Sequence, residues 1–166
     1  MISPVRTILF FAASLLLGAG FFPAPTLSQS RNTFPGRRVG GGTRGECAAR
    51  QIIHHLADSE AQSYARLRRL VAEPEGSIIQ GYDEGLWASC EKLGYESAPV
   101  ENSIAVFAAV RAGSLDVIKR LEESDLAKSG EHTESGKFTI EKWLAGYTNH
   151  PKDHGDQLIR ATKGQE

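Results

Sequence analysis

From Cys47 to the C-terminus the apolar residues recur at intervals of three and four, and no stretch alternates with period two. A chain patterned in this way buries one stripe of each helix against the next, so the expected fold is all-α, a small single domain of antiparallel helical hairpins. Ala49, Ile52, Ile53 and Leu56 share one helical face. Ser59 and Gln62 read as a capping box opening a second helix, with Tyr64, Leu67, Leu70 and Val71 along one side and Glu73-Pro74 as its end. Leu86, Cys90 and Leu93 form a further face, closed by Gly94 as a C-terminal cap. Val100, Ile104, Phe107 and Arg111 lead to Gly113, read as a turn, after which Ser114 caps a helix carrying Val117, Ile118 and Leu121. Lys128 to Gly136 is polar and reads as a loop. Thr139 opens a helix bearing Ile140, Trp143, Leu144 and Tyr147, which Pro151 is expected to stop before a last short helix around Leu158 and Ile159. The expected core is Ile52, Leu56, Leu67, Leu86, Ile104, Phe107, Ile118, Leu121, Trp143 and Leu144.

The first part of the chain is different in kind. Arg6 precedes an uncharged apolar run from Ile8 to Phe22, and Pro23 and Pro25 are followed by Thr26 and Ser28. The run is shorter than the roughly 20 residues of a membrane-spanning helix. It has the order of a secretory signal peptide, so residues 1–28 are expected to be cleaved and the protein to be periplasmic or extracellular, with no transmembrane span afterwards. Residues 29–46 hold Pro35 and five glycines with almost nothing apolar, which predicts a flexible arm ahead of a helical domain at 47–166. Arg31, Arg37, Arg38 and Arg44 make this arm basic and offer contact to an anionic lipid or envelope polymer.

In an oxidising compartment the two cysteines, Cys47 and Cys90, read as one disulfide. It would close a loop of about 43 residues and contribute roughly 3 to 4 kcal/mol. A net charge of −1 with 23% charged residues gives no footprint for nucleic acid.

For chemistry, His150 and His154 stand at i, i+4, a spacing that chelates zinc when both lie on one helix. Pro151 between them is expected to break that helix and leave a solvated polar turn. His54 and His55 are adjacent and so point to different sides of a helix. No nucleophile elbow, phosphate loop or zinc-hydrolase helix is present in the sequence. The reading therefore assigns no catalytic residue, no metal ligand and no cofactor.

Three stretches carry resemblances. Phe34-Pro-Gly-Arg-Arg-Val-Gly-Gly-Gly-Thr-Arg-Gly-Glu-Cys47, continuing toward Leu56, resembles the opening of secreted cyanobacterial proteins of unknown function, which implies a secreted setting and no specific site. The segment around 104–124, with Ala109, Gly113, Leu115, Val117, Ile118 and Leu121, resembles one ankyrin repeat unit. Ile79-Gln-Gly81-Tyr-Asp83-Glu-Gly85 with Trp143-Leu144 and His150-Pro151 is similar to exported immunity proteins of the Rap/Tai type. With no catalytic motif and a basic arm, the expected role is that of a non-catalytic binding or structural protein that contacts another secreted protein or an anionic envelope polymer. The alternatives are an inhibitor of a cell-wall amidase or an envelope hydrolase.

Overall fold

The computed structural model describes residues 44–164, with side chains from residue 48. The signal peptide expected at residues 1–28 and Arg31, Arg37 and Arg38 lie outside the described residues, as do the side chains of Arg44 and Cys47. The elements are α1 (Arg44–Ala72), β1 (Ile78–Ile79), α2 (Glu84–Ser89), α3 (Glu101–Ile118), β2 (Ser129–His132), β3 (Gly136–Thr139) and α4 (Ile140–Thr162), with short 3-10 turns at Glu91–Leu93 and Glu123–Ala127. The described residues are thus mostly helical, with four helices and a small three-stranded sheet in the order β1-β2-β3.

The sheet corrects the all-α expectation. β1 runs parallel to β2, pairing Ile78 with Glu131 and Ile79 with His132, and β2 runs antiparallel to β3. Strands of two to four residues are too short to show a period, and Lys128 to Gly136 therefore read as a loop. Gly130 lets β1 approach, because a Cβ there would lie 2.6 Å from the Ser77 carbonyl oxygen.

Helix boundaries also move. The two helices read on either side of Ser59 are one 29-residue helix, α1. The turn read at Gly113 is the interior of α3. The glycine serves packing there, since a Cβ would come within 3.0 Å of the Tyr64 ring on α1. This removes the helix-turn-helix on which the ankyrin resemblance rested. Two local signals hold as read: Thr139 caps α4 by accepting from the Lys142 N–H at 3.1 Å, and Gly94 adopts the left-handed conformation at φ 70°.

The core gathers Leu67 and Leu70 of α1, Ile79 of β1, Ile118 of α3, and Ile140, Trp143, Leu144 and Tyr147 of α4. Of the expected core, Ile52, Leu67, Ile118, Trp143 and Leu144 are buried, while Leu86 and Ile104 are 67% and 53% exposed. The Trp143 indole N–H donates to the Ser63 carbonyl at 3.0 Å, fixing α4 against α1.

α4 continues through Pro151, which is buried inside it. A proline has no N–H for the carbonyl four residues back, here that of Tyr147, and its ring crowds that carbonyl, at a typical cost of about 3 kcal/mol. Arg111 of α3 meets the deficit. Its Nη2 donates to the Tyr147 carbonyl at 2.9 Å, its Nη1 donates to Glu60 Oε1 of α1 at 2.6 Å, and its guanidinium lies 4.0 Å from the Tyr147 ring centre. Hydrogen bonds from a charged donor contribute about 1.5–3 kcal/mol, comparable with the proline's cost.

The disulfide is not formed: Cys90 ends α2 as a free, exposed cysteine. Leu86, Cys90 and Leu93 all face outward, where a helix of six residues gives too little length for the inward stripe expected of them.

Two outcomes follow. Iodoacetamide should alkylate Cys90 in the native protein without prior reduction, as mass spectrometry of the peptide would show; protection until reduction would restore the disulfide. Arg111→Met should destabilise the fold by about 3–5 kcal/mol in urea unfolding, the range for breaking a buried ion pair. That cost should shrink by about 1 kcal/mol in a Pro151→Ala background, where residue 151 regains an N–H for the Tyr147 carbonyl.

Candidate metal centre

α1 and α4 place three imidazoles together. His55 and His54 leave α1 in different directions, as adjacency on a helix requires. His54 takes a structural position: its Nδ1 lies 2.8 Å from Ser103 Oγ and its Nε2 lies 3.2 Å from the Ala98 carbonyl. His55 turns toward α4, where the unbroken helix sets His150 and His154 one turn apart on a single face. His55 Nε2 stands 3.3 Å from His150 Nε2 and 3.1 Å from His154 Nε2, and one ligand atom from each of the three rings falls within 4.8 Å of the others. The solvated turn expected around His150 and His154 is therefore overturned, because Arg111 carries the helix past Pro151.

The donor set fits a borderline transition metal such as zinc. Three nitrogens bound at about 2.0–2.1 Å in a tetrahedral site lie about 3.3–3.4 Å apart, close to the 3.3 and 3.1 Å that separate His55 Nε2 from His150 and His154. Binding requires neutral imidazoles. Burial, followed by the charge of His154, lowers the His55 pKa to about 3, and burial likewise lowers that of His150 to about 4. Gln157 orients the third ligand: its Oε1 accepts from His154 Nδ1 at 2.7 Å, which leaves the Nε2 lone pair directed at the cluster.

Polar groups surround the three rings. Asp83 caps α2, accepting from the Leu86 N–H at 2.8 Å, and so sets Glu84 at the helix start. Glu84 Oε2 lies 3.9 Å from His55 Nε2, and burial raises its pKa. Ser59, one turn after His55, shares a short hydrogen bond with the Tyr82 hydroxyl, whose pKa burial pushes up to about 12. Burial raises the Glu60 carboxyl while Arg111 opposes it. A cleft of about 160 Å³ adjoins the cluster, lined by His150, Ser59, Glu84, Arg66, Phe138 and Trp143 among others.

Against this geometry the comparisons are consistent. The model of the DinB superfamily matches residues 43–158, and the chain belongs to that superfamily. A protein of Oceanobacillus iheyensis named "Putative metal-dependent hydrolase OB0782" is 36% identical over 117 residues, covering 70% of this chain and 63% of its own length. A Bacillus mycoides protein, also named "Putative metal-dependent hydrolase", is 31% identical and is covered over 62% of its length. This chain thus spans somewhat less than two thirds of those relatives. The solved structure of YfiT from Bacillus subtilis, described as a probable metal-dependent hydrolase with an unusual four-helix bundle topology, matches with a TM-score of 0.66 at 22% identity. That match covers 98% of this chain and 86% of YfiT. Membership in the superfamily replaces all three earlier resemblances, to secreted cyanobacterial proteins, to an ankyrin unit and to Rap/Tai immunity proteins.

The buried imidazoles fix a pH dependence. An imidazole whose folded pKa is lowered from 6.5 to about 3 is neutral in the folded state and protonates near 6.5 on unfolding. Between those values the unfolded chain binds the extra proton, so folding weakens as pH falls below 6.5. Raised carboxyls such as Glu60 act in the opposite direction, which makes the comparison between variants decisive. In chelator-treated protein, His55→Gln should flatten the loss of stability from pH 7 to pH 5 by up to about 1.4 kcal/mol per pH unit. An unchanged slope in urea titrations would show that His55 is not held neutral.

Proposed function

We propose that this protein is a metal-dependent hydrolase whose metal is held by His55, His150 and His154. The observation that carries the reading is the convergence of three imidazole nitrogens, two of them from groups kept neutral by burial, beside an open cleft. Three protein ligands leave positions free for water and substrate, the arrangement of catalytic rather than structural sites. A divalent ion held there would polarise a carbonyl or phosphoryl oxygen and acidify water.

The rest of the chemistry belongs to the chain. Glu84 faces the same point as the imidazoles, and burial raises its pKa, which makes Oε2 a better proton acceptor than an ordinary carboxylate. Tyr82 keeps its proton and, through Ser59, holds the cleft wall against α1. Phe138 and Trp143 line the cleft with apolar surface, which limits water around the reacting groups. The hydrolase alternative thus displaces the non-catalytic binding role expected from the sequence. The relatives' names favour the same reading. The apolar run at Ile8–Phe22 favours an exported setting, where an envelope polymer is a candidate contact.

The metal-stripped protein should take up one zinc per chain in isothermal titration. His154→Ala should weaken that uptake by more than about 100-fold, beyond the range for loss of an outer partner. With zinc bound, Glu84→Gln should lower kcat on activated esters such as 4-nitrophenyl acetate by about 10²–10⁴-fold. Failure to bind zinc stoichiometrically, or full activity in the Glu84 variant, would overturn the assignment.

A further inference from the structure

α1 carries a second polar feature into the same cleft. Three turns beyond His55 on that face, Arg66 lines the cleft together with Ser59, Ser63 and Glu84. Its Nη2 donates to the Gln80 carbonyl at 3.2 Å, whereas its Nε is buried and meets no hydrogen-bond acceptor. Among the described residues no carboxylate pairs with it within 4.0 Å, although Glu84 and Glu134 are near enough to influence its charge. A partly buried guanidinium without a counter-ion is costly, and its planar fork matches the paired oxygens of a carboxylate or phosphoryl group.

We propose that Arg66 binds an anionic group of the substrate, a carboxylate or phosphoryl group, at the end of the cleft remote from the three histidines. The inference deepens the hydrolase reading and rests on it for the word substrate. About 16 Å of helix axis separates residues 55 and 66, while His150 and Glu84 line the same cleft as Arg66. Glu84 senses both ends, since its charge couples to His154 and to Arg66. A small molecule in the cleft would have its anion at Arg66 and its remainder beside His150 and Glu84, which line the same cleft. Phe138, Trp143 and Tyr147 supply aromatic walls to the cleft. A volume of about 160 Å³ is comparable with an engineered cavity that admits benzene, so a single-ring probe suits it.

The test measures binding to the metal-stripped full chain, so it requires no turnover and its result is separate from failure of the hydrolase reading. Benzoate and phenyl phosphate are compared with the neutral isostere benzamide by calorimetry and Trp fluorescence. At least one anion should bind at least tenfold more tightly than benzamide, and which one does so distinguishes a carboxylate from a phosphoryl ligand. Arg66→Gln should reduce that preference to within about twofold, and Arg66→Lys, which keeps the charge and loses the fork, should retain only part of it. If Arg66→Gln fails to fold by circular dichroism, the wild-type preference and Arg66→Lys decide. Equal binding of anion and amide by the wild type, or a preference that survives the loss of the Arg66 fork, would overturn the proposal.

Discussion

The buried contact among Glu60, Arg111 and the Tyr147 carbonyl is the constraint on which the other features depend. It joins α1, α3 and α4 at one point, with Arg111 donating to a carboxylate on one side and to a backbone oxygen on the other. Buried ion pairs are weak evidence for net stability, because desolvation offsets much of their attraction. Here the pair has a specific task. The carbonyl it satisfies is the one Pro151 leaves without a helix N–H, and Pro151 lies between two of the three clustered histidines. A bend at that proline would separate His150 from His154, so the integrity of the metal centre is linked to an arginine that does not touch it.

Much of the fold was legible because helix signals are local. Thr139 at the start of α4 and the left-handed Gly94 act through their own neighbours, and both were readable as caps. The misreadings concern residues whose local signal is overridden by a partner distant in sequence. Gly113 has the composition of a turn, yet its missing Cβ accommodates the Tyr64 ring of α1. Pro151 has the composition of a stop, yet Arg111, 36 residues away from the carbonyl it rescues, restores continuity. The sheet escaped notice for another reason: β2 is Ser-Gly-Glu-His, and its role is set by the edges it pairs with rather than by its own pattern.

The site was half legible. The i, i+4 pair of His150 and His154 was visible, and the adjacency of His54 and His55 correctly implied separate sides of α1. What the sequence does not show is that the side taken by His55 faces a segment 95 residues later. One signal was available: His55 belongs to the stripe of α1 that faces the bundle, close to Ile52, and an ionisable group in such a stripe needs a partner. The cysteines misled in the opposite way. Their pairing was inferred from compartment and number alone, and Cys90 proves to lie exposed at the end of α2.

The electrostatics of the cleft tie these points together. Burial shifts His55, His150, Glu60, Glu84, Tyr82 and Arg66 each toward its neutral form. Shifts in one direction across so many neighbours are costly in a purely structural core, where such groups are replaced by apolar ones or paired completely. Among the described residues the Glu60 and Arg111 contact is a buried internal pair of that kind. The remaining groups separate into a basic, metal-competent end at the three imidazoles and a cationic end at Arg66, with Glu84 between them. A cation at the first and an anion at the second would each relieve the desolvation that the fold imposes, so the same burial that weakens the empty protein would strengthen its hold on a charged ligand.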